Sequence, residues 1–251
     1  MNKNPPMKHI SQRTDFQKLG LPTALSCVWA LSLACAMFAF VAEAAVSVTP
    51  LPAAKLLFSD NFDTNNVAGT APAHWSISAP EGTTVRVVDA SVTVPFSPPF
   101  CVELVDNSPK GRAEMYRDFP PSATGRASAV FKLKTVATAH AVLQLRTAKG
   151  AHLCSAIFAS GGLMRYEGQG GGASTTTAWK PGEWQKVQIE WFADSTFNAS
   201  LGDTQFAQRV HFVTDGTPSK VHVVVGYSTA INKIGYVDDV EVVDTEGSPV
   251  E

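Results

Sequence analysis

The chain has 251 residues, of which 20 are Lys or Arg and 22 are Asp or Glu, so its formal net charge at pH 7 is −2. This balance, with no cluster of basic residues in the sequence, argues against a nucleic-acid partner or an anionic membrane surface. The length fits one domain behind a leader, because all-β domains of about 200–250 residues are common.

The first predicted element is an N-terminal signal helix within residues 1–44. Residues 1–20 carry four basic residues and one acid, residues 21–42 form an apolar run, and Ala42, Glu43 and Ala44 form a small-residue cleavage site. These are the three parts of a secretory signal peptide, so we expect cleavage after Ala44 and no membrane association afterwards. An uncleaved membrane anchor is the alternative, because the apolar run is 22 residues long. In both cases the positive-inside rule places the rest of the chain outside the cytoplasm, as a secreted, periplasmic or cell-surface protein.

After a linker at residues 45–54, short β-rich segments separated by Gly, Pro, Asn and Asp predict one domain over residues 55–244, with a tail at 245–251. Thirteen strands are predicted, at 55–60, 84–89, 100–106, 112–119, 126–135, 140–147, 152–159, 163–167, 184–192, 196–201, 204–208, 220–228 and 234–243. This spacing is typical of an all-β sandwich or jelly roll. The Gly/Ser/Thr-rich run at 168–177 is predicted to be a flexible loop.

Two cysteines, Cys101 and Cys154, remain after the predicted signal peptide, and both lie in strand-like segments. An exported compartment permits a disulfide bond between them. The alternative is that each is a small buried side chain on a separate strand.

Three segments occur in a defined order: FSDNFDTNNVAGTAPAHWSI at 58–77, AWKPGEWQKVQIEW at 178–191 and IGYVDDVEVVD at 234–244. Together they resemble the concanavalin A-like jelly rolls of secreted bacterial proteins, which include laminin-G-like domains and carbohydrate-binding modules. The resemblance covers residues 55–244 and implies an all-β, antiparallel two-sheet jelly-roll sandwich whose first and last strands pair.

The resemblance also implies one structural calcium ion near that pairing. In many carbohydrate-binding modules the N-terminal motif is Asn-Gly-Asp-Phe-Glu, whereas residues 59–63 here read Ser-Asp-Asn-Phe-Asp. The candidate ligands are Asp60 and Asp63 at the start of the domain and Asp238 and Asp239 at its end. Carboxylates suit calcium, which takes six to eight oxygen ligands at about 2.3–2.6 Å.

The alternation of side chains along a strand predicts which face Asp238 points to. If Val240 and Val242 point into the core, strict alternation points Asp238 inward as well. A buried carboxylate needs a cation or several hydrogen-bond donors. The alternative to calcium is that Asp238 caps a loop by accepting backbone N–H bonds while Asp239 is solvated.

The sequence does not match the catalytic motifs of two groups of enzymes with this fold. The E-x-D-x-x-E strand of laminarinase-type glucanases is absent. Arg112, Glu114 and Arg117 approach the R-x-E-x-R strand of alginate-lyase jelly rolls, but the second Arg is one residue late and falls on the opposite face. We therefore interpret residues 112–119 as an edge strand with polar residues facing outward.

Binding of a carbohydrate is the favoured use of the domain, because aromatic rings stack on sugar rings and polar groups read the hydroxyls. Trp179, beside the Gly-rich run, is the aromatic residue expected to be exposed, and Tyr166 is a second candidate. Arg146, Arg165 and Glu167 are the candidate polar partners.

The sequence thus predicts an exported, non-catalytic domain that binds a polysaccharide or cell-surface glycan. Two alternatives stay open: a small polysaccharide lyase or glycoside hydrolase of the same fold, and a structural cell-surface or envelope protein. A face with clustered Arg, His and Tyr would favour the lyase, and a row of exposed aromatic residues would favour binding.

Overall fold

The computed structural model describes residues 54–136, 140–226 and 232–245. Within these ranges the chain forms strands and turns and no helix. The predicted signal helix lies outside the described residues. No helix among the described residues has the length and apolarity needed to cross a membrane.

The described chain forms fifteen strands. They are β1 (Lys55–Asp60), β2 (Ser76–Ser78), β3 (Thr83–Val88), β4 (Cys101–Asp106), β5 (Arg112–Asp118), β6 (Gly125–Leu133), β7 (Ala141–Arg146), β8 (His152–Phe158), β9 (Leu163–Gly168), β10 (Gly171–Ala178), β11 (Trp184–Trp191), β12 (Thr196–Leu201), β13 (Thr204–His211), β14 (Lys220–Gly226) and β15 (Lys233–Asp244).

The strands form two antiparallel sheets. The first sheet has the order β13-β12-β11-β6-β15-β4-β3, with β1 also pairing with β15, and the second has the order β10-β9-β8-β7-β14-β5-β2. One large apolar core contains inward-facing residues of both sheets, among them Phe131, Leu143 and Trp191. The prediction of an all-β, two-sheet antiparallel sandwich is confirmed for the described residues.

Strand β15 is twelve residues long because it has two partners in succession along one edge. Its first half pairs with β4 from Lys233 to Val237, and its second half pairs with β1 from Val240 to Asp244. The first and last strands of the domain therefore pair, as the resemblance implies. Asp238 and Asp239 occupy the short interval between the two partners.

A β-bulge occupies that interval. On the β6 side, Asp238 pairs with Val130 and Glu241 pairs with Ser128, so three steps along β15 match two steps along β6. Asp239 has φ = 44°, in the left-handed region that Asp adopts more readily than most residues. The extra residue reverses the alternation, so the strict parity used for Asp238 is wrong: this side chain points to the same outer face as Glu241.

Two local predictions also need correction. The run 168–177 is a hairpin rather than a loop, because Gly168 pairs with Gly171 across a two-residue turn and β10 continues from there. Strand β5 is not an edge strand, since β14 lies on one side and the short β2 on the other. Strand β11 pairs with β6 without a register shift from Trp184 to Trp191; Trp184 therefore lies on the outer face, opposite to Trp191.

Candidate functional site

The outer face of the second sheet carries a grid of polar side chains, here called the polar face. Inward residues of β5, β7 and β14, such as Met115, Leu143 and Val223, belong to the core, so the residues between them point outward. Across five neighbouring strands, one row of outward side chains lies directly opposite one another, in the order Tyr116, His222, Gln144, Ser155 and Glu167.

Two further rows flank this one. On one side lie Asp118, Lys220, Arg146 and His152. On the other side lie Glu114, Val224, Val142, Ile157 and Arg165. The three apolar members of this last row form a small buried cluster of their own, so Glu114 lies beside apolar groups as well as polar ones.

Tyr116 and His222 form a stacked pair at one end of the central row. Their ring centroids are 4.9 Å apart and their planes differ by 11°. Since neighbouring strands are also about 4.7–4.9 Å apart, the two rings stand upright on the sheet, one on each strand. Upright rings present polar edges to a ligand rather than a flat stacking surface.

Glu114 holds this pair from the next row. One of its carboxylate oxygens lies 3.7 Å from Nδ1 of His222, and the other accepts a hydrogen bond from Nε of Arg112. Burial raises the pKa of the Glu114 carboxyl, but the nearby His222 and the hydrogen bond from Arg112 outweigh it and hold this pKa below its ordinary value. Lys220 lies over the Tyr116 ring, with Nζ 4.9 Å from the centroid. The end of the row is therefore a fixed cluster of Arg, Glu, His, Tyr and Lys side chains.

A hydrogen-bonded chain occupies the other end of the row. Gln144 donates a 3.0 Å bond from Nε2 to Oγ of Ser155 and accepts one of 2.5 Å from Nε of Arg146. His152 lies within 2.8 Å of the same Ser155 hydroxyl and 3.9 Å from a carboxylate oxygen of Glu167. These contacts fix the orientation of each polar group without a ligand.

The three histidines associated with this face are held neutral. Burial is the largest cause that lowers the pKa of His152 and of His222. Burial, followed by the nearby charges of Arg165 and Lys233, lowers the pKa of His140 to about 4. At neutral pH these imidazoles can therefore accept a proton as well as donate a hydrogen bond.

The sequence-based ligand candidates divide between this face and the core. Arg146, Arg165 and Glu167 lie on the polar face, where we expected them to act together. Tyr166 alternates with Arg165 and Glu167, points inward and contacts Phe197 edge-on. Trp179 was expected to be exposed, and that prediction is wrong: it is 3% exposed.

Trp179 is buried because it forms a hydrogen bond inside the core and packs against another aromatic ring. Its Nε1 donates a 3.1 Å bond to the backbone oxygen of Ala159, and its ring packs edge-on against Phe158. A local Gly-rich neighbourhood in the sequence does not reveal this long-range contact.

Tyr116, His222, Gln144 and His152 were not selected as site residues from sequence. A signal for them does exist, because each strand of this sheet carries polar residues at alternate positions inside an apolar run, as in VLQLR and KVHVVV. The pattern shows that the polar residues share a face of their own strand. It does not show that β14 inserts between β5 and β7, which brings Tyr116, His222 and Gln144 into one row beside the row that contains His152.

Asp238 and Asp239 tie the loop at residues 89–100 to β15. Asp238 is fully buried, accepts a 2.8 Å bond from the backbone N–H of Ser97 and accepts another from the N–H of Asp239. The Ser97 hydroxyl donates to the Asp239 carboxylate at 2.8–2.9 Å. Asp238 therefore caps a loop, the alternative foreseen from the sequence, while Asp239 is half-buried and bound to that loop.

The two N-terminal aspartates have separate partners. Asp60 accepts a 2.9 Å bond from Nε1 of Trp75 and lies 3.2 Å from Nη1 of Arg117. Asp63 accepts a 2.6 Å bond from Asn61. In the part of the chain that the structure describes, no group of three or more His, Cys, Asp or Glu side chains has the geometry of a metal site. Calcium stays a prediction from the sequence.

The two cysteines are not joined. Cys101 lies on β4 of the first sheet and Cys154 on β8 of the second, and both are buried free thiols. Burial raises the pKa of the Cys101 thiol to about 12. The structure thus matches the alternative of two small buried side chains rather than the predicted disulfide.

No family model matches the sequence, and no curated protein matches it. Among solved structures, a sialidase aligns with 69% of this chain at 14% identity and a TM-score of 0.57, and the chain spans 17% of that sialidase. A cellulose-induced protein, Cip1, aligns with 74% of this chain at 19% identity and a TM-score of 0.54, over 96% of its own length.

A third similar structure is domain 4 of AbnA, an extracellular arabinanase from Geobacillus stearothermophilus, in complex with arabinotriose. It aligns with 76% of this chain at 13% identity and a TM-score of 0.50, over 93% of its own length. At identities this low the likeness is one of fold, and it places the chain among β-sandwich domains.

Proposed function

We propose that this protein is an exported domain of the concanavalin A-like jelly-roll type that binds a polysaccharide across its polar face. The observation that carries the proposal is the central row of donors and acceptors, from Tyr116 to Glu167, which lie opposite one another on five strands. A row of fixed polar groups suits a chain of hydroxyl-bearing sugars. The structural likeness to the arabinotriose complex supports a glycan as the ligand class.

The test is a glycan array on the protein, with and without a calcium chelator, followed by affinity measurements on the glycans that bind. Arg146→Gln should weaken binding roughly 10- to 100-fold, because a hydrogen bond from a charged group contributes about 1.5–3 kcal/mol. Arg209→Gln, on β13 of the first sheet, is the matched control and should leave affinity unchanged. Equal affinity of both variants and the unchanged protein would contradict binding at the polar face.

Chelation in the same array addresses the calcium prediction. Arg117 lies beside Asp60 and backbone N–H groups satisfy Asp238, so both carboxylates are stabilised by protein groups. Loss of glycan binding or a lower melting temperature with chelator would support calcium.

A second candidate function, a polysaccharide lyase, is favoured by one specific observation: Arg, His and Tyr side chains cluster at the Tyr116 end of the row. A lyase removes the proton on the carbon next to a uronate carboxyl group, forms a carbon–carbon double bond and expels the neighbouring glycosidic oxygen, which takes up a proton. Neutral His222 and Tyr116 are suited to these two proton transfers. Arg112 and Arg146 would face the carboxylate.

This candidate predicts an ultraviolet-absorbing unsaturated product from a uronate polysaccharide. Tyr116→Phe removes only the hydroxyl and should lower the rate about 100-fold or more, with glycan affinity little changed. Tyr166→Phe, which removes the same group from a core-facing ring, is the matched control. If no uronate glycan yields such a product, the lyase proposal fails and the binding proposal stands.

A further inference from the structure

A cavity of about 580 Å³ lies on the outer face of the first sheet, on the other sheet from the polar face. It opens between the loop at residues 89–100, the bulge of β15 and the end of β1. Ligand sites for small molecules commonly have volumes of roughly 300–1,000 Å³. The cavity is therefore large enough to hold a sugar unit.

One wall of this cavity is aromatic. Phe96 and Trp184 both line it, and their ring centroids are 6.3 Å apart with an edge-on angle of 63°. Phe96 is 52% exposed, and Val92 and Val94 on the same loop are 46% and 67% exposed. Three of the seven exposed large hydrophobic residues in the described chain thus lie on one loop beside the cavity, and such a concentration indicates a binding surface.

The aromatic wall is held in place before any ligand arrives. Nε1 of Trp184 donates a 3.0 Å bond to the backbone oxygen of Val94, and Nζ of Lys132 lies 5.7 Å from the Trp184 ring centroid. Ser97, next to Phe96, is bound by the two aspartates of the bulge. Because these contacts already fix the side chains, binding would cost little additional conformational entropy, which favours affinity.

The cavity lining is also acidic. Asp60, Asp239 and Glu241 line the cavity, and Lys186 is the cationic residue among its lining side chains. Asp60 is paired with Arg117, and one carboxylate oxygen of Glu241 lies 3.9 Å from Arg126. Asp239 and the second oxygen of Glu241 are therefore the proposed acceptors in this lining. Carboxylates accept strong hydrogen bonds from hydroxyl groups, and an excess of them repels an anionic ligand.

We propose that this cavity is a second sugar-binding site, which takes a non-acidic sugar unit. The sugar ring stacks on the aromatic wall, and its hydroxyls donate to Asp239 and Glu241. The inference rests on the proposed glycan-binding function and adds a site with a different preference. The polar face carries four basic side chains (Arg112, Arg146, Arg165 and Lys220) against three acidic ones (Glu114, Asp118 and Glu167), whereas the cavity lining has more acids than bases, so the polar face suits acidic sugars better.

The test is calorimetric titration of the full chain with arabinotriose and cellotetraose as neutral probes and trigalacturonate as the acidic probe. At least one neutral probe should bind, and Phe96→Ala and Glu241→Gln should each weaken it at least 10-fold. Arg209→Gln, on β13 and outside both sites, should leave neutral binding unchanged. Leu163→Ala, which also removes an exposed apolar side chain, is the matched control for Phe96→Ala.

Three outcomes overturn the inference: no neutral probe binds, neutral binding is insensitive to both Phe96→Ala and Glu241→Gln, or Arg146→Gln abolishes it. Glu241→Gln keeps the side-chain volume, so its result stands even if Phe96→Ala lowers stability. Binding of trigalacturonate that Arg146→Gln weakens, without neutral binding, refutes only the second site. Neutral binding that depends on Phe96, with no effect of Arg146→Gln on any probe, refutes only the polar face.

Discussion

The carboxyl group of Asp238 is fully buried under the loop at residues 89–100. Burial raises its pKa to about 7, although hydrogen bonds from the backbone of Ser97 and Asp239 act in the opposite direction. The folded pKa is therefore above the unfolded value of 3.8. The folded protein takes up a proton, and the stabilisation present at low pH is lost as the pH rises through about 7.

Asp238→Asn should remove this pH dependence, because the amide does not titrate. Relative to the variant, the unchanged protein should lose up to roughly 3 kcal/mol of unfolding free energy between pH 5 and pH 8. Urea denaturation of both proteins at the two pH values measures the difference. Asp203→Asn, at an exposed turn, is the control and should show the same pH dependence as the unchanged protein. If the unfolding free energy of Asp238→Asn also varied with pH as in the unchanged protein, the assignment to Asp238 would be refuted.

At the residue scale, the sequence-based candidates differ in where they lie. Arg146, Arg165 and Glu167 lie on the polar face because long polar side chains at alternate strand positions avoid the core, and their contact with a ligand stays a prediction. Trp179 is misplaced because a tryptophan suits both a core and a sugar site, and its buried hydrogen-bond partner, Ala159, is twenty residues away.

At the element scale, the bulge of β15 is the feature that a strict alternation pattern overlooks. One added residue at Asp239 lets Val237 and Val240 both face the core, three positions apart. The sequence VDDV contains the evidence in retrospect, since two adjacent acids disfavour a regular strand. The left-handed φ of Asp239 and the change of partner from β4 to β1 are properties of the folded sheet, so composition alone does not reveal them.

Substitution of Asp239 tests the bulge. Asp239→Val should lower the unfolding free energy by about 2 kcal/mol or more, because a β-branched residue is strained at positive φ and the bonds from Ser97 are lost. Asp239→Gly loses the same bonds but adopts this φ freely, so it should cost at least about 1 kcal/mol less than Asp239→Val.

Glu241→Val, in the regular part of the same strand, is the control for this pair and should cost little, because valine favours strands. Chemical denaturation measures all three variants. Equal losses for Asp239→Val and Glu241→Val would contradict a bulge at Asp239.

At the scale of the whole molecule, opposed titrations predict a stability maximum near neutral pH. The pKa values of His140, His152 and His222 are lowered by burial, so the stability present above their unfolded value is lost as the pH falls through their folded values. Asp238 acts in the opposite sense as the pH rises to about 7. The histidines therefore reduce stability as the medium becomes acidic, and Asp238 reduces it as the pH approaches 7.

The melting temperature, measured from pH 4 to pH 9, should therefore be highest between about pH 6 and 7. Asp238→Asn should move the maximum toward higher pH, because only the histidine contributions remain. A melting temperature of the unchanged protein that rises steadily to pH 9 would contradict this balance.

The fold class of the whole domain follows from the sequence, whereas the composition of the polar face does not. Short β-rich segments with turn residues between them suffice to predict a two-sheet sandwich. The histidines at 140, 152 and 222 look scattered along the chain, and the pairing of β7 with β14 and with β8 brings their segments side by side. The pairing of β14 with β7 and β5 joins residues 74–114 positions apart, which a local pattern does not encode.

The central positions of β14 and β15 also set the order in which the domain can assemble. In the first sheet β15 is the link between the β3–β4 pair and the β6, β11, β12 and β13 group, and in the second sheet β14 is the link between β5 and β7. These two strands are synthesised after all the others described here. Until residues 220–244 emerge, the nascent chain holds separate β fragments with unpaired edges, so both sheets close late and almost together.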